Sequence, residues 1–187
     1  MLLYDTLIFF KKIAKSRRMT IFAKKNMEKE PNIEKVVFRL LKEKKLTFAS
    51  AESCTGGNIA HRITLIPGSS EVFKGGAVTY ATPTKTRVLG VAAELIEQHG
   101  VVSREVAEAM AQGTRQLMEA DFGIATTGVA GPTGGTELTP VGTVWIGLAT
   151  PYGVSTHCFH FGKGRQRVIS QATKEAYKML FNALQTL

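Results

Sequence analysis

Hydrophobic residues recur along this chain with two different periods, which separate predicted helices from predicted strands. Ile33, Val36, Val37, Leu40 and Leu41 share one face of a helix with 3.6 residues per turn. Short apolar runs bounded by glycine, proline or serine are instead typical of buried strands. Such runs predict strands over residues 46–51, 72–80, 122–127, 142–150 and 154–161.

Further helices are predicted over residues 58–66, 84–89, 92–99, the segment that follows the N-cap Ser103, and 165–184. We expect Pro83 to break the chain before the second of these helices, and Gly75 and Gly76 to bend or bulge the second strand. Pro151-Tyr152-Gly153 is typical of a hairpin turn between the last two strands. Strands that alternate with helices and end in a hairpin predict an α/β fold, a three-layer α/β/α sandwich with a mixed, mostly parallel central sheet.

The stretch Ala51-Glu52-Ser53-Cys54-Thr55-Gly56-Gly57 joins the first strand to the helix that follows it. Such a junction places a hydroxyl or thiol at the end of a strand, beside the free N–H groups of a helix N-terminus. Ser53 and Cys54 are therefore candidate nucleophiles, and Gly56 and Gly57 allow a substrate to approach the backbone. The same stretch also fits an ordinary capped helix start, so other residues must decide between the two interpretations.

The segment Tyr80-Ala81-Thr82-Pro83-Thr84-Lys85 leaves the carboxyl end of the second strand, the edge at which ligands gather in open α/β sheets. A lysine that is desolvated in such a cleft loses its proton near neutral pH and acts as base to a serine. Lys85 is therefore a candidate partner of Ser53, with Tyr80 beside it. The alternative is a solvated helix lysine and an ordinary strand aromatic.

The glycine-rich segment from Gly128 to Gly135 matches neither the dinucleotide fingerprint nor the Walker phosphate loop. Its backbone can still offer converging N–H groups to an anion, to which Thr127 adds a hydroxyl. Arg165, at the start of the last helix, is a candidate phosphate ligand. A long flexible turn and a surface arginine are the alternatives.

The net charge of +9 is concentrated at one end of the chain. Residues 1–26 hold seven bases and one acid, which leaves +3 on the remainder. We expect residues 1–26 to be a basic extension, poorly ordered or dispensable, and residues 27–187 to form the domain. Two alternatives are that translation starts at Met27 and that the extension binds a membrane surface. The near balance of charge in the domain argues against nucleic-acid binding by it.

Several other classes of protein are also disfavoured. No apolar run approaches the roughly 20 residues that span a bilayer. Cys54 and Cys158 are too few for a disulfide framework, so a reducing compartment, the cytoplasm, fits best. His157 and His160 would point to opposite faces of one strand, and we predict no metal site.

In their order along the chain, these motifs resemble those of the CinA C-terminal domain family, whose stand-alone members include nicotinamide-nucleotide amidohydrolases. The resemblance covers about residues 30–185. It rests on residues 51–57, Pro67-Gly68-Ser69-Ser70, Gly76 to Tyr80 with Lys85, Gly100-Val101-Val102-Ser103, Thr127 to Gly135, and Pro140-Val141-Gly142-Thr143-Val144-Trp145.

The resemblance implies deamidation of nicotinamide mononucleotide to nicotinic acid mononucleotide and ammonia, without a cofactor, by a homodimer. By resemblance Ser53 attacks the carboxamide, Lys85 is its base, and Tyr80 relays or orients the proton. Helix N–H groups around Cys54 to Gly57 are expected to stabilise the oxyanion. The implied substrate-binding residues are Cys54, Thr55, Gly56, Gly57, Thr127, Gly128, Ala130, Gly131 and Arg165.

Two rival interpretations remain open. The first is a non-catalytic domain of the same fold that binds a nucleotide or a protein partner in competence or the DNA-damage response. Intact Ser53, Tyr80 and Lys85 favour an enzyme over that rival. The second is hydrolysis of a different pyridine or nucleotide amide, which keeps the chemistry and changes the substrate.

Overall fold

The structure, a computed structural model, describes residues 32–187. The extension expected over residues 1–26 lies outside these residues. The elements are α1 (Ile33–Lys44), β1 (Phe48–Glu52), α2 (Asn58–Thr64), a short 3₁₀ helix (Ser69–Glu71), β2 (Phe73–Val78), α3 (Thr82–Leu89), α4 (Ala93–His99), α5 (Arg104–Leu117), β3 (Phe122–Gly128), β4 (Thr143–Thr150), β5 (Gly153–His160) and α6 (Arg165–Thr186). None of the helices in this described part of the chain is long and apolar enough to cross a membrane.

Within residues 32–187 the strands form a five-stranded sheet in the order β2-β1-β3-β4-β5. β1 lies at its centre and pairs in parallel with both β2 and β3. β4 pairs antiparallel with β3 and with β5, so that β4 alone among the five runs against the common direction. The predicted mixed, mostly parallel sheet is confirmed.

Each face of the sheet is covered by its own layer of helices, because successive side chains of a strand point to opposite faces. Phe48 of β1 packs in the core formed with α1, α2 and α6, whereas Ala51 packs in the core formed with α3, α4 and α5. Small residues bring α5 close to the second face: a Cβ added to Gly123 would lie 2.1 Å from the carbonyl oxygen of Ala111. The predicted three-layer α/β/α sandwich is confirmed.

The predicted local structure around Pro83 is wrong. Helix α3 begins at Thr82, and Pro83 lies within its first turn instead of breaking the chain before it. Proline fits there because its missing N–H would have no acceptor inside the helix. The irregularity expected near Gly75 and Gly76 is present, since the β1–β2 register shifts by one residue immediately before Gly75.

Candidate active site

The candidate catalytic residues gather around a cavity of about 280 Å³ at the carboxyl ends of β1, β2 and β3. The sequence-predicted site residues that line this cavity are Ser53, Cys54, Tyr80, Lys85, Thr127, Gly128, Ala130, Gly131 and Arg165. The lining is completed by Thr82, Val101, Val102, Val129, Thr133 and Gly134. Parallel strands that end at one edge of a sheet explain why segments distant in sequence meet here.

Ser53 and Lys85 are in direct contact inside this cavity. Ser53 follows β1, and its amide donates to the carbonyl oxygen of Thr126 on the neighbouring strand. Lys85 is 1% exposed, and its Nζ donates to Ser53 Oγ at 3.1 Å and to the Thr79 carbonyl oxygen at 2.6 Å. Burial lowers the pKa of Lys85 below its ordinary value; a negative charge on Cys54 would oppose this shift. The neutral amine that a base requires is therefore easier to reach than it is for a solvated lysine.

Cys54, the second candidate nucleophile, is buried beside Ser53. Burial raises the pKa of its thiol to about 12; a hydrogen bond with the Thr126 side chain opposes this, and the Glu52 carboxylate adds to it. A thiol with such a pKa holds very little thiolate at neutral pH, and the thiolate is the reactive form. Of the two neighbours, Ser53 contacts the buried lysine, and Cys54 holds very little thiolate.

Glu52 is a residue of the site that the sequence analysis missed. Its side chain is buried, and one carboxylate oxygen, Oε2, accepts the N–H groups of Gly57 and Ile59, both at 3.0 Å. The other oxygen, Oε1, accepts the N–H of Ala60 at 2.9 Å and the hydroxyl of Ser50 at 3.3 Å. An acidic residue just before a helix start was the available signal, since a carboxylate is stabilised by helix N-terminal N–H groups.

The structure does not place Thr55, Gly56 and Gly57 in the cavity lining. Thr55 is buried, with its hydroxyl 2.8 Å from that of Thr126. Gly56 and Gly57 have φ values of 62° and 96°, which a side chain would strain, so they are needed for the turn itself. Their amides are occupied as well: Gly56 donates to the Ser53 carbonyl, and Gly57 donates to Glu52.

The donors expected from α2 for an oxyanion are therefore largely committed to acceptors within the protein. The amides of Cys54 and Thr55 have no oxygen acceptor in the described residues. They directly follow Ser53 in sequence. Of the two residues, Cys54 lines the cavity and Thr55 does not, so the amide of Cys54 is the donor that this turn leaves available beside Ser53.

Arg165 connects three segments at the mouth of the cavity. One guanidinium nitrogen, Nη2, donates to the Tyr80 hydroxyl at 2.5 Å, and the other, Nη1, donates to the Gly131 carbonyl at 3.1 Å. The end of β2, the glycine-rich segment and the start of α6 are thereby joined. The Tyr80 hydroxyl consequently lies with Arg165, on a half-exposed side chain, and not with Ser53 or Lys85.

Thr127 is also in place at the cavity, but its hydroxyl is used internally. It donates to the Val101 carbonyl at 2.6 Å and so ties β3 to the segment before α5. The histidines of β5 form no cluster: His160 Nδ1 lies 3.1 Å from the Thr143 hydroxyl. Among residues 32–187, no group of three or more His, Cys, Asp or Glu side chains could hold a metal ion.

The sequence profile of the CinA C-terminal domain matches residues 30–184. This chain belongs to the CinA C-terminal domain family. Among curated members, the CinA-like protein of Flavobacterium psychrophilum is 47% identical over 157 residues, which are 84% of this chain and 38% of that protein. A putative competence-damage inducible protein of Caldicellulosiruptor saccharolyticus is 47% identical over 148 residues, 79% of this chain and 36% of that protein. The chain thus spans little more than a third of the length of these relatives.

Solved structures of the CinA superfamily share the fold. Competence/damage inducible protein CihA from Agrobacterium tumefaciens superposes with a TM-score of 0.78 at 39% identity, covering 82% of this chain and 95% of that one. A CinA superfamily protein from Klebsiella pneumoniae gives a TM-score of 0.79 at 32% identity, covering 83% and 99%. These CinA neighbours confirm the α/β architecture around the cavity.

Proposed function

We propose that this CinA-family chain hydrolyses the carboxamide of nicotinamide mononucleotide to nicotinic acid mononucleotide and ammonia. The observation that carries the proposal is the 3.1 Å contact between buried Lys85 and Ser53 in an open cavity. Serine with a lysine base is a recognised arrangement for acyl transfer. The choice of substrate rests on the family resemblance, whose stand-alone members include enzymes of this activity.

In the first half-reaction, neutral Lys85 takes the proton of Ser53 while Oγ attacks the carboxamide carbon. The carbonyl electron pair moves to oxygen, and the amide of Cys54 is the donor that the turn leaves for it. The intermediate then collapses, the C–N bond breaks, and protonated Lys85 gives its proton to the leaving nitrogen. Ammonia departs and an ester of Ser53 remains.

In the second half-reaction, neutral Lys85 takes a proton from water, which attacks the ester carbon. The bond between that carbon and Ser53 Oγ breaks, and Lys85 returns the proton to the serine. The acid product then loses its own proton to solvent and leaves as a carboxylate. Both halves need the same lysine to be neutral before attack and charged before departure, and a lowered pKa makes the neutral form easier to reach.

The phosphate of the substrate would be held at the other end of the cavity by Arg165 and the glycine-rich segment. Arg165 donates one hydrogen bond to Tyr80 and one to Gly131, whereas a guanidinium has five N–H donors in all. The remaining donors can face a phosphate, for which arginine is well suited. Its two internal bonds hold the side chain in one orientation before the substrate arrives.

The proposal is tested by ammonia release from nicotinamide, its riboside and its mononucleotide, with Ser53→Ala as the control. We expect turnover of the mononucleotide to exceed that of the other two, since it alone carries the phosphate. If the enzyme prefers another amide, the proposed hydrolysis stands and the proposed substrate is wrong. Binding of the mononucleotide without turnover would instead favour the non-catalytic rival, in line with the competence-damage names of several relatives.

We also propose that the chain acts as a homodimer. In residues 32–187, β5 forms an edge of the sheet, and its eight residues include no Lys, Arg, Asp, Glu or Pro. Such residues normally protect an edge strand from pairing with another chain. Light scattering should give twice the 20.3 kDa of one chain, and a proline at Thr156 or Cys158 in β5 should give monomers. A wild-type monomer would refute the dimer.

A cytoplasmic location is proposed on the state of the two cysteines. Cys54 and Cys158 are both free thiols in the structure, which suits a reducing compartment. Cell fractionation should recover the protein with cytoplasmic markers. Recovery with the periplasmic or membrane fraction would refute this location.

A further inference from the structure

We infer that Glu52 is a positioning residue for the nucleophile: its carboxylate holds the start of α2 and thereby fixes the turn that presents Ser53. This inference rests on the proposed function, in which Ser53 is acylated. Glu52 and Ser53 are adjacent in sequence, yet the Glu52 side chain acts on residues five to eight positions further on.

The first support is the completeness of the carboxylate's surroundings. Both oxygens are satisfied, Oε2 by the N–H groups of Gly57 and Ile59 and Oε1 by Ala60 and Ser50. The side chain is 1% exposed, so water does not substitute for these donors. A buried charge is tolerated only when it is fully hydrogen-bonded. The four donors meet this requirement and hold the carboxylate in one position.

The second support is that α2 has no cap of its own. The residue at its N-cap position is Gly57, which has no side chain to accept the first N–H groups of the helix. These groups normally need an acceptor from a capping residue. Glu52 supplies it from the last position of β1, and so ties the end of the strand to the start of the helix across Ser53.

The third support concerns what the turn must align. Ser53 Oγ has to face Lys85, while the amide of Cys54 has to face the developing oxyanion. Both groups lie between Glu52 and the N–H donors at the start of α2 that it binds. A small displacement of a reacting group costs about 100-fold in rate, so slackening the turn should lower the rate of acylation more than substrate binding.

Glutamine cannot reproduce this arrangement. Its side chain offers one oxygen and one NH₂ group where glutamate offers two oxygens. Whichever way the amide turns, its NH₂ group faces an N–H donor, either that of Ala60 or those of Gly57 and Ile59. Glu52→Gln therefore keeps the size of the side chain and breaks the cap.

The test compares Glu52→Gln with Glu34→Gln. Glu34 is a matched control, a carboxylate also 1% exposed, paired with Arg62 at 2.9 Å and absent from the cavity lining. Two rates are measured: turnover of the mononucleotide, and labelling of Ser53 by a fluorophosphonate reagent, located by mass spectrometry. We expect Glu52→Gln to lower kcat and the labelling rate about 100-fold with KM changed less than about threefold, and Glu34→Gln to lower neither by more than about threefold.

The outcomes separate this inference from the proposed function. Wild-type labelling at Ser53 without ammonia release would reject the substrate while leaving the comparison of labelling rates intact. Wild-type labelling rates in Glu52→Gln, or equal losses in both variants, would overturn the role of Glu52. If Glu52→Gln does not fold, Glu52→Asp withdraws the carboxylate by one methylene and keeps its charge. We expect it to label at least about tenfold more slowly, and an unchanged rate would overturn the inference equally.

Discussion

The side-chain nitrogen of Lys85 lies 3.1 Å from the hydroxyl oxygen of Ser53, across 32 positions of sequence. Lys85 is buried, and its second hydrogen bond goes to a backbone carbonyl, which accepts from the amine without requiring that it be charged. In the proposed function, this contact joins a base to its nucleophile. Its chemical consequences can be measured directly.

Ser53→Ala should lower kcat for ammonia release by at least about 10³-fold, because no other group in the turn can form the ester. Cys54→Ala should stay within about tenfold of wild type, since the protonated thiol takes no part. The melting temperatures of both variants show whether the fold is retained. If Cys54→Ala is inactive and Ser53→Ala is active, the nucleophile is the Cys54 thiol and not the Ser53 hydroxyl.

The pH dependence of kcat/KM should report Lys85. The amine must be neutral to accept the serine proton, so kcat/KM rises tenfold per pH unit and levels off above the folded-state pKa of Lys85. Because burial lowers that pKa, the midpoint should fall below the ordinary value of 10.5. Lys85→Arg keeps the charge but cannot lose its proton, and should be inactive at every pH. A midpoint at or above 10.5 would contradict the lowered pKa.

Tyr80→Phe distinguishes a proton relay from a support for Arg165. Since the Tyr80 hydroxyl bonds to Arg165, its loss should raise KM for the mononucleotide by about three- to tenfold and leave kcat nearly unchanged. Arg165→Ala should raise the same KM further, with little effect on the riboside, which lacks the phosphate. A fall of about 100-fold in kcat at constant KM in Tyr80→Phe would instead show that the Tyr80 hydroxyl relays the proton.

Thiol titration should separate the two cysteines. Cys158 is exposed, whereas Cys54 is buried with a pKa raised to about 12. A disulfide reagent at pH 8 should therefore react rapidly with one thiol per native chain and with two in guanidinium chloride. Mass spectrometry identifies the rapid site, with Cys158→Ser as the control. Rapid modification of Cys54 in the native protein would contradict the raised pKa.

Much of the fold followed from local pattern. The spacing of Ile33, Val36 and Leu41 marks one buried face, and the structure buries all three in the same core. Periodicity predicts such elements because it reflects which side of a segment meets the core. The ends of the helices were harder to predict, as Pro83 shows. In sequence, a proline just before a helix cannot be told from one in its first turn, and only the backbone conformation of the neighbouring residues separates the two.

The candidate site was predictable to the extent that it follows from strand ends. Parallel strands bring their carboxyl ends to one edge, and this rule predicts that Ser53, Tyr80 and Lys85 meet there; all three line the same cavity. The rule says nothing about which donors remain free. Gly56 and Gly57 were assigned to the substrate from their place at a helix start, where the structure commits their amides to internal acceptors.

The sequence by itself thus determined the layers of the fold, the edge at which the site forms and most of the polar residues that line it. Tertiary structure alone decided that Tyr80 bonds to Arg165, that Lys85 is buried against Ser53, and that the Glu52 carboxylate accepts N–H groups at the start of α2. The physical reason is that hydrogen bonds between side chains and distant groups depend on distances of a few ångströms. Those distances are set by how helices pack on the sheet, which no local pattern records.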